Sequence, residues 1–172
     1  PSQILKEEAR MKKIILSCFL LVFVSMFISL AEAGQEINGC PVPDNLKIIE
    51  PDSNVVPPKL ALLSGIWEGN WLSPVIFIVE QIKGNEAAVI YAWGAIRART
   101  QAGTSFAPGF VRLKCPIEQG DDGNYRIICT LKNGTNKLIQ TNDPRQIRVV
   151  REGFGTMAPE YRDSIFRKKE MK

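Results

Sequence analysis

Between residues 63 and 151 the chain never runs far without a turn signal, and this rhythm restricts its fold more than any other feature. Short runs of Val, Ile, Tyr, Trp and Thr alternate with Gly, Asn, Asp, Ser and Pro, the pattern of antiparallel strands joined by hairpins. Eight segments read as strands: 64–71, 74–82, 87–93, a weaker 95–100, 109–117, 125–131, 135–141 and 146–151. In the first, Trp67, Gly69 and Trp71 share a face, because strand side chains alternate. The second, PVIFIVEQI, is apolar on both faces for most of its length. Asn133-Gly134 is the strongest two-residue hairpin signal. A long up-and-down sheet tends to close, since closure removes its unpaired edges. The expected fold is therefore all-β, a small antiparallel up-and-down barrel of about eight short strands over residues 63–152. The same spacing permits a two-sheet sandwich.

The flanks read differently. Residues 34–62 carry Pro41, Pro43, Pro51, Pro57 and Pro58, and so form an extended leader that either straps the domain or hangs free. Residues 153–172 are a basic tail. Pro159 suits a first helical position, Arg167, Lys168 and Lys169 suit the last turns, and Tyr161 and Ile165 would share a face. One helix over 158–172 fits this tail, and disorder fits it equally.

Ile14 to Leu30 hold no charge, Met11-Lys12-Lys13 precede them and Ala31-Glu32-Ala33 follow. That order of parts makes residues 11–33 a secretory signal peptide, cut after Ala33; an uncleaved anchor is the alternative. Residues 1–10 make no sense ahead of a signal peptide. They read as untranslated sequence carried in frame, with Lys6-Glu7-Glu8 matching a purine-rich run of bacterial type. The expected location is periplasmic or extracellular. The formal charge of +4 comes largely from the signal and the tail, because residues 34–161 balance. A nucleic-acid-binding face on the domain is not expected.

Cys115 and Cys129 lie symmetrically about the turn-like run Gly120-Asp121-Asp122-Gly123. A hairpin there sets them opposite one another, within disulfide reach, and an exported chain keeps such bonds. Free buried thiols are the other reading. Cys40 is then unpaired. The chain has no histidine, which removes Ser-His-Asp and Cys-His triads and imidazole-dependent zinc sites. Asp121-Asp122-Gly123 lacks the following oxygen ligands of a calcium loop, and no phosphate loop, CxxC or HExxH occurs. No metal and no cofactor is expected.

Leu63-Ser64-Gly65-Ile66-Trp67 resembles the G-x-W opening of lipocalin and calycin barrels. The longer run SGIWEGNW, VEQI, AAVIYAWG is similar to small exported bacterial proteins with a lipocalin-like barrel and no assigned activity. The resemblance covers roughly residues 63–151. It implies that Trp67 plugs one end of the barrel and that Arg151, ending IRVVR, stacks over it as a cation–π partner. Strands of six to eight residues are shorter than those that hold a ligand in this family. An eight-stranded barrel is just wide enough for its own side chains, so the expectation is a shallow pocket at the mouth.

Trp71, Phe77, Tyr91 and Trp93 are the aromatic concentration, readable as a pocket wall or as ordinary packing. Arg97, with Arg99, Arg112 and Lys114, would line a mouth for an anionic group or face solvent. Glu68 and Glu80 on neighbouring strands are the one carboxylate pair that could serve acid–base chemistry, against the usual solvent-facing role. The leading expectation is a non-catalytic exported module holding a small hydrophobic or amphipathic molecule. The alternative is a cell-envelope interaction protein that meets an envelope protein or an anionic surface through its leader or tail.

Overall fold

The computed structural model describes residues 35–95, 107–154 and 159–170. The signal segment and Arg97 lie outside these residues. A two-stranded hairpin opens the described chain, β1 (Glu36–Ile37) and β2 (Cys40–Pro41), turning at Asn38 and Gly39, which both adopt positive φ. A single helical turn, α1 (Pro58–Ala61), follows. Eight strands then form a closed antiparallel barrel: β3 (Gly65–Asn70), β4 (Pro74–Lys83), β5 (Glu86–Trp93), β6 (Gly109–Gln119), β7 (Tyr125–Leu131), β8 (Gly134–Gln140), β9 (Gln146–Phe154) and β10 (Pro159–Lys169). Each strand pairs with its sequence neighbours, and β10 pairs with β3 to close the cylinder.

The expected all-β up-and-down barrel is thus present, with a correction to its membership. β5 pairs directly with β6 from Glu86↔Pro116 to Trp93↔Gly109, and the weaker strand read over 95–100 lies, from position 96 on, outside the described residues. The eighth strand is β10, drawn from the tail that fits a helix by sequence. Its true period is two. Ser164 and Phe166 turn inward, while Tyr161 and Ile165 are exposed. The helix reading failed because this wall of the interior is partly polar, so no apolar alternation marks it.

Alternation along the strands builds one core inside the barrel. Trp67, Val75, Phe77, Val79, Val89, Ile127, Leu138, Ile147, Val149 and Phe166 all belong to it. A bulge at Glu80 shifts the register between β4 and β5. It reverses the phase so that Ile82 joins this core and Gln81 does not.

β4 is apolar on both faces because both are covered. On its outer side Ile76 and Ile78, with Ile66, Ile90 and Ala92, pack against Cys40 and Val42 of the leader. The leader is a strap: Ile49 N–H donates to the Glu80 carbonyl at 2.7 Å, and Arg112 Nη2 donates to Asn45 Oδ1 at 2.6 Å. It then passes through α1 beneath the barrel, where Val56, Leu60 and Leu63 join the interior core around Trp67.

Candidate functional site

Trp67 is 1% exposed at the α1 end, and its indole N–H donates to the Leu63 carbonyl at 2.8 Å. Trp67 thus packs beneath the barrel with Val56, Leu60 and Leu63. Its cationic partner is not the one expected. Lys168 Nζ sits 5.2 Å above the Trp67 ring and donates to the Leu62 carbonyl, and burial lowers its pKa. Arg151 instead pairs in register with Arg162, six positions along β10 from Lys168. The reason is that β9 is the penultimate strand, so the place of a last-strand cation falls to β10.

The opposite half of the interior holds the four aromatic residues singled out from the sequence, brought together in a connected series. Phe77 is fully buried and stacks on Tyr91 at 5.0 Å between centroids; Tyr91 reaches Trp93 at 5.4 Å. On the other side Trp71 and Phe166 meet Phe77 edge-on at 6.4 and 5.6 Å. Gly69 makes this possible: a Cβ there would fall 2.5 Å from the Phe166 ring. Phe77 is core support, whereas Trp71, Tyr91 and Trp93 are half-buried. Trp71 Nε1 donates to Ser164 Oγ at 3.1 Å, and Trp93 Nε1 donates to the Ala107 carbonyl at 2.9 Å. Both tryptophans thus hold fixed orientations.

Polar groups share this half, and sequence reasoning missed most of them. Arg162 lies 5.9 Å from the Trp71 ring centroid. Asn136, Arg151 and Arg162 stand in register across β8, β9 and β10. Arg151 Nη1 donates to Asn136 Oδ1 at 3.3 Å, and both residues are buried. The inward residues Arg162, Ser164, Phe166 and Lys168 alternate with neighbours as polar as themselves, so the sequence carried no signal for them. Among the described side chains of the inner face, Arg151, Arg162 and Lys168 carry charge and none is a carboxylate.

Other sequence candidates fall elsewhere. Arg112 meets Glu80 at 3.4 Å and Lys114 meets Glu86 at 3.9 Å, both on the outer face. Glu68 opposes Ile76, four residues short of Glu80, which separates the two carboxylates by roughly 13 Å along the strand. Lys169 Nζ donates to Glu68 Oε1 at 2.6 Å. The pair is not assembled for acid–base work on a shared substrate.

Cys115 and Cys129 form the expected disulfide, with Cα atoms 4.8 Å apart. Cys40 is buried and free. Outside the barrel rim a groove of about 800 Å³ runs between the β1–β2 hairpin and the β3–β4 turn, lined by Glu36, Asn38, Asn70, Leu72 and Pro74. Its lining gathers neither aromatic surface nor cations, so the ring cluster is the stronger site. Among the described residues no helix is long and apolar enough to cross a membrane. Comparison with known proteins adds no relative: no family, no curated protein and no solved structure matches this chain.

Proposed function

We propose that the barrel is a non-catalytic exported module that holds a small amphipathic molecule at the end remote from α1. The observation that carries this reading is the junction of Trp71, Tyr91 and Trp93 with Arg162, an aromatic wall and a cation on the same half-buried surface. The separated, ion-paired positions of Glu68 and Glu80 support a binding role over a hydrolytic one. The Cys115–Cys129 bond fits an oxidising compartment, and so supports export. The lipocalin-like kinship stays part of this proposal; it rests on the G-x-W stopper and on barrel closure.

The test is a fluorescence titration with a twelve-carbon single-chain amphiphile below its micellar concentration. Trp71 and Trp93 emission should shift on binding, and Trp71→Phe and Trp93→Phe should each remove part of the change. Trp67→Phe should not, since that indole is sealed at the other end. A spectrum unmoved by the amphiphile would end this reading.

One observation favours the envelope-interaction alternative. Tyr161 and Ile165 stand 65% and 51% exposed on the outer face of β10, beside Arg167 and Lys169. A leader-based interaction is less favoured, since Cys40 and Val42 are fully buried against the barrel. The Tyr161→Ser/Ile165→Ser double variant would abolish sedimentation with anionic vesicles if this face docks there. Sedimentation equal to that of the unaltered chain would remove the alternative.

A further inference from the structure

The barrel is two half-sheets joined unequally, and from that joint we infer that a ligand enters sideways: the seam between β3 and β10 is a gate onto the aromatic cluster, with the seam between β6 and β7 as its hinge. The inference rests on the binding role proposed above and adds how that site is reached.

Within each half the ladders run nearly the length of the strands. β3 pairs with β4 from Gly65↔Val79 to Asn70↔Pro74, and β5 with β6 from Glu86↔Pro116 to Trp93↔Gly109. In the other half β8 pairs with β9 from Gly134↔Gly153 to Gln140↔Ile147, and β9 with β10 from Gln146↔Arg167 to Phe154↔Pro159. The seams between the halves are short. Ile66–Glu68 meet Lys169–Arg167 in one, and Ile117–Gln119 meet Ile127–Tyr125 in the other. Because successive strands alternate in direction, both short ladders lie at the α1 end. Towards the mouth neither seam has further ladder pairs among the described residues.

What bridges the two seams there differs. Two residues beyond its last pair, the β6–β7 seam is clamped by the Cys115–Cys129 bond. Three residues beyond its last pair, the β3–β10 seam is bridged by Trp71 Nε1, which donates to Ser164 Oγ at 3.1 Å. A neutral hydrogen bond contributes little net, since water takes its place on opening; a covalent bond does not exchange in this way. Motion that parts the halves therefore opens β3–β10 and pivots on β6–β7. The same motion unpacks the site. Phe166 of β10 lies over Gly69 of β3 and meets Trp71 and Phe77 at 5.7 and 5.6 Å between centroids. Phe77 and Phe166 are fully buried, so the closed cluster is filled by its own rings. Withdrawal of β10 takes Phe166 from the other two and leaves an apolar slot, its outer lip carrying Leu72 and Ile165, 62% and 51% exposed. A hydrocarbon chain admitted there lies against Trp71 and Phe77.

The experiment locks the gate from outside. Continuing the register of Glu68 with Arg167 sets Asn70 opposite Ile165, within disulfide reach. Asn70→Cys/Ile165→Cys is oxidised with diamide, and its association with dodecanoate below the micellar concentration is followed by stopped-flow tryptophan fluorescence. Association should be at least about tenfold slower than in the same double variant with those two thiols alkylated, because the opening step is gone. Thr130→Cys/Thr135→Cys, a cross-link between directly paired residues inside one half, should leave the rate of the unaltered chain. Ser164→Ala needs no cross-link and should speed association and release together. Three results would each overturn the gate and leave the mouth-binding role standing: equal rates for locked and alkylated protein, equal slowing by the Thr130–Thr135 cross-link, or Ser164→Ala no faster than the unaltered chain. No response to dodecanoate in any of these proteins, the unaltered chain included, would overturn both.

Discussion

Cys40 shows how a residue's surroundings set its chemistry. The thiol is buried between the strap and the barrel, where its Sγ approaches the Pro74 carbonyl at 3.4 Å. Burial, reinforced by the carboxylates of Glu36 and Glu68, pushes its pKa up to about 11, against a lowering contribution from Gly94. At pH 8 only about a thousandth of it is thiolate, the nucleophilic form. Native protein should therefore resist iodoacetamide for hours and react within minutes in denaturant, as read by mass spectrometry of the Cys40 peptide. Rapid native labelling would show the strap to be loosely held. Gly69 is governed by space instead. Gly69→Ala drives a methyl into the Phe166 ring, and overpacking of this kind costs about 1–3 kcal/mol. Chemical denaturation should show that loss, with recovery in Gly69→Ala/Phe166→Leu. An undiminished midpoint in the single variant would mean the two strands part without cost. Neither environment is legible from the residue alone: the sequence places Gly69 between two tryptophans but says nothing of Phe166, almost a hundred positions away.

Elements with alternating polarity were legible, and the one without it was not. Within a residue or two at most ends, β3, β5, β7, β8 and β9 follow the expected segments, because each sets an apolar face inward. In β10 the inward positions are Arg162, Ser164, Phe166 and Lys168. Proline at its start and basic residues at its end then imitate helix signals. The correction changes what a truncation does. Removing residues 159–172 takes away the strand that joins β9 to β3, so cooperative unfolding should vanish; a truncated protein with an intact melting transition would contradict the closed barrel. A different weakness lies between β6 and β7, whose regular pairing covers only Ile117–Gln119 against Tyr125–Ile127. Cys115–Cys129 clamps the strands just beyond that point. Opening a 14-residue separation should cost about 3 kcal/mol. Reduction should speed amide exchange at residues 113–117 and 127–131 before any other part of the barrel, and uniform acceleration would argue against a local clamp.

At the largest scale, the described residues form a barrel wrapped on one side. Two-sided apolarity in β4 was visible in the sequence, but it did not reveal that one cover is the barrel's own lining and the other the proline-rich leader. Deleting residues 35–50 would bare Ile66, Ile76, Ile78, Ile90 and Ala92 together. A patch of that kind promotes association, and sedimentation should find oligomers. A monomer of unchanged stability would show the strap to be dispensable. The polar half of the lining was illegible for a related reason: inward Asn136, Arg151 and Arg162 look like surface residues until strand pairing sets them in one row. The closing contact joins Glu68 to Lys169 across 101 positions of chain. A polypeptide delivered from its amino end has therefore released every other stave before the final one arrives. Trp71 and Phe77 wait without the ring of Phe166 until then, so folding of the cylinder begins in earnest only when its last dozen residues are free.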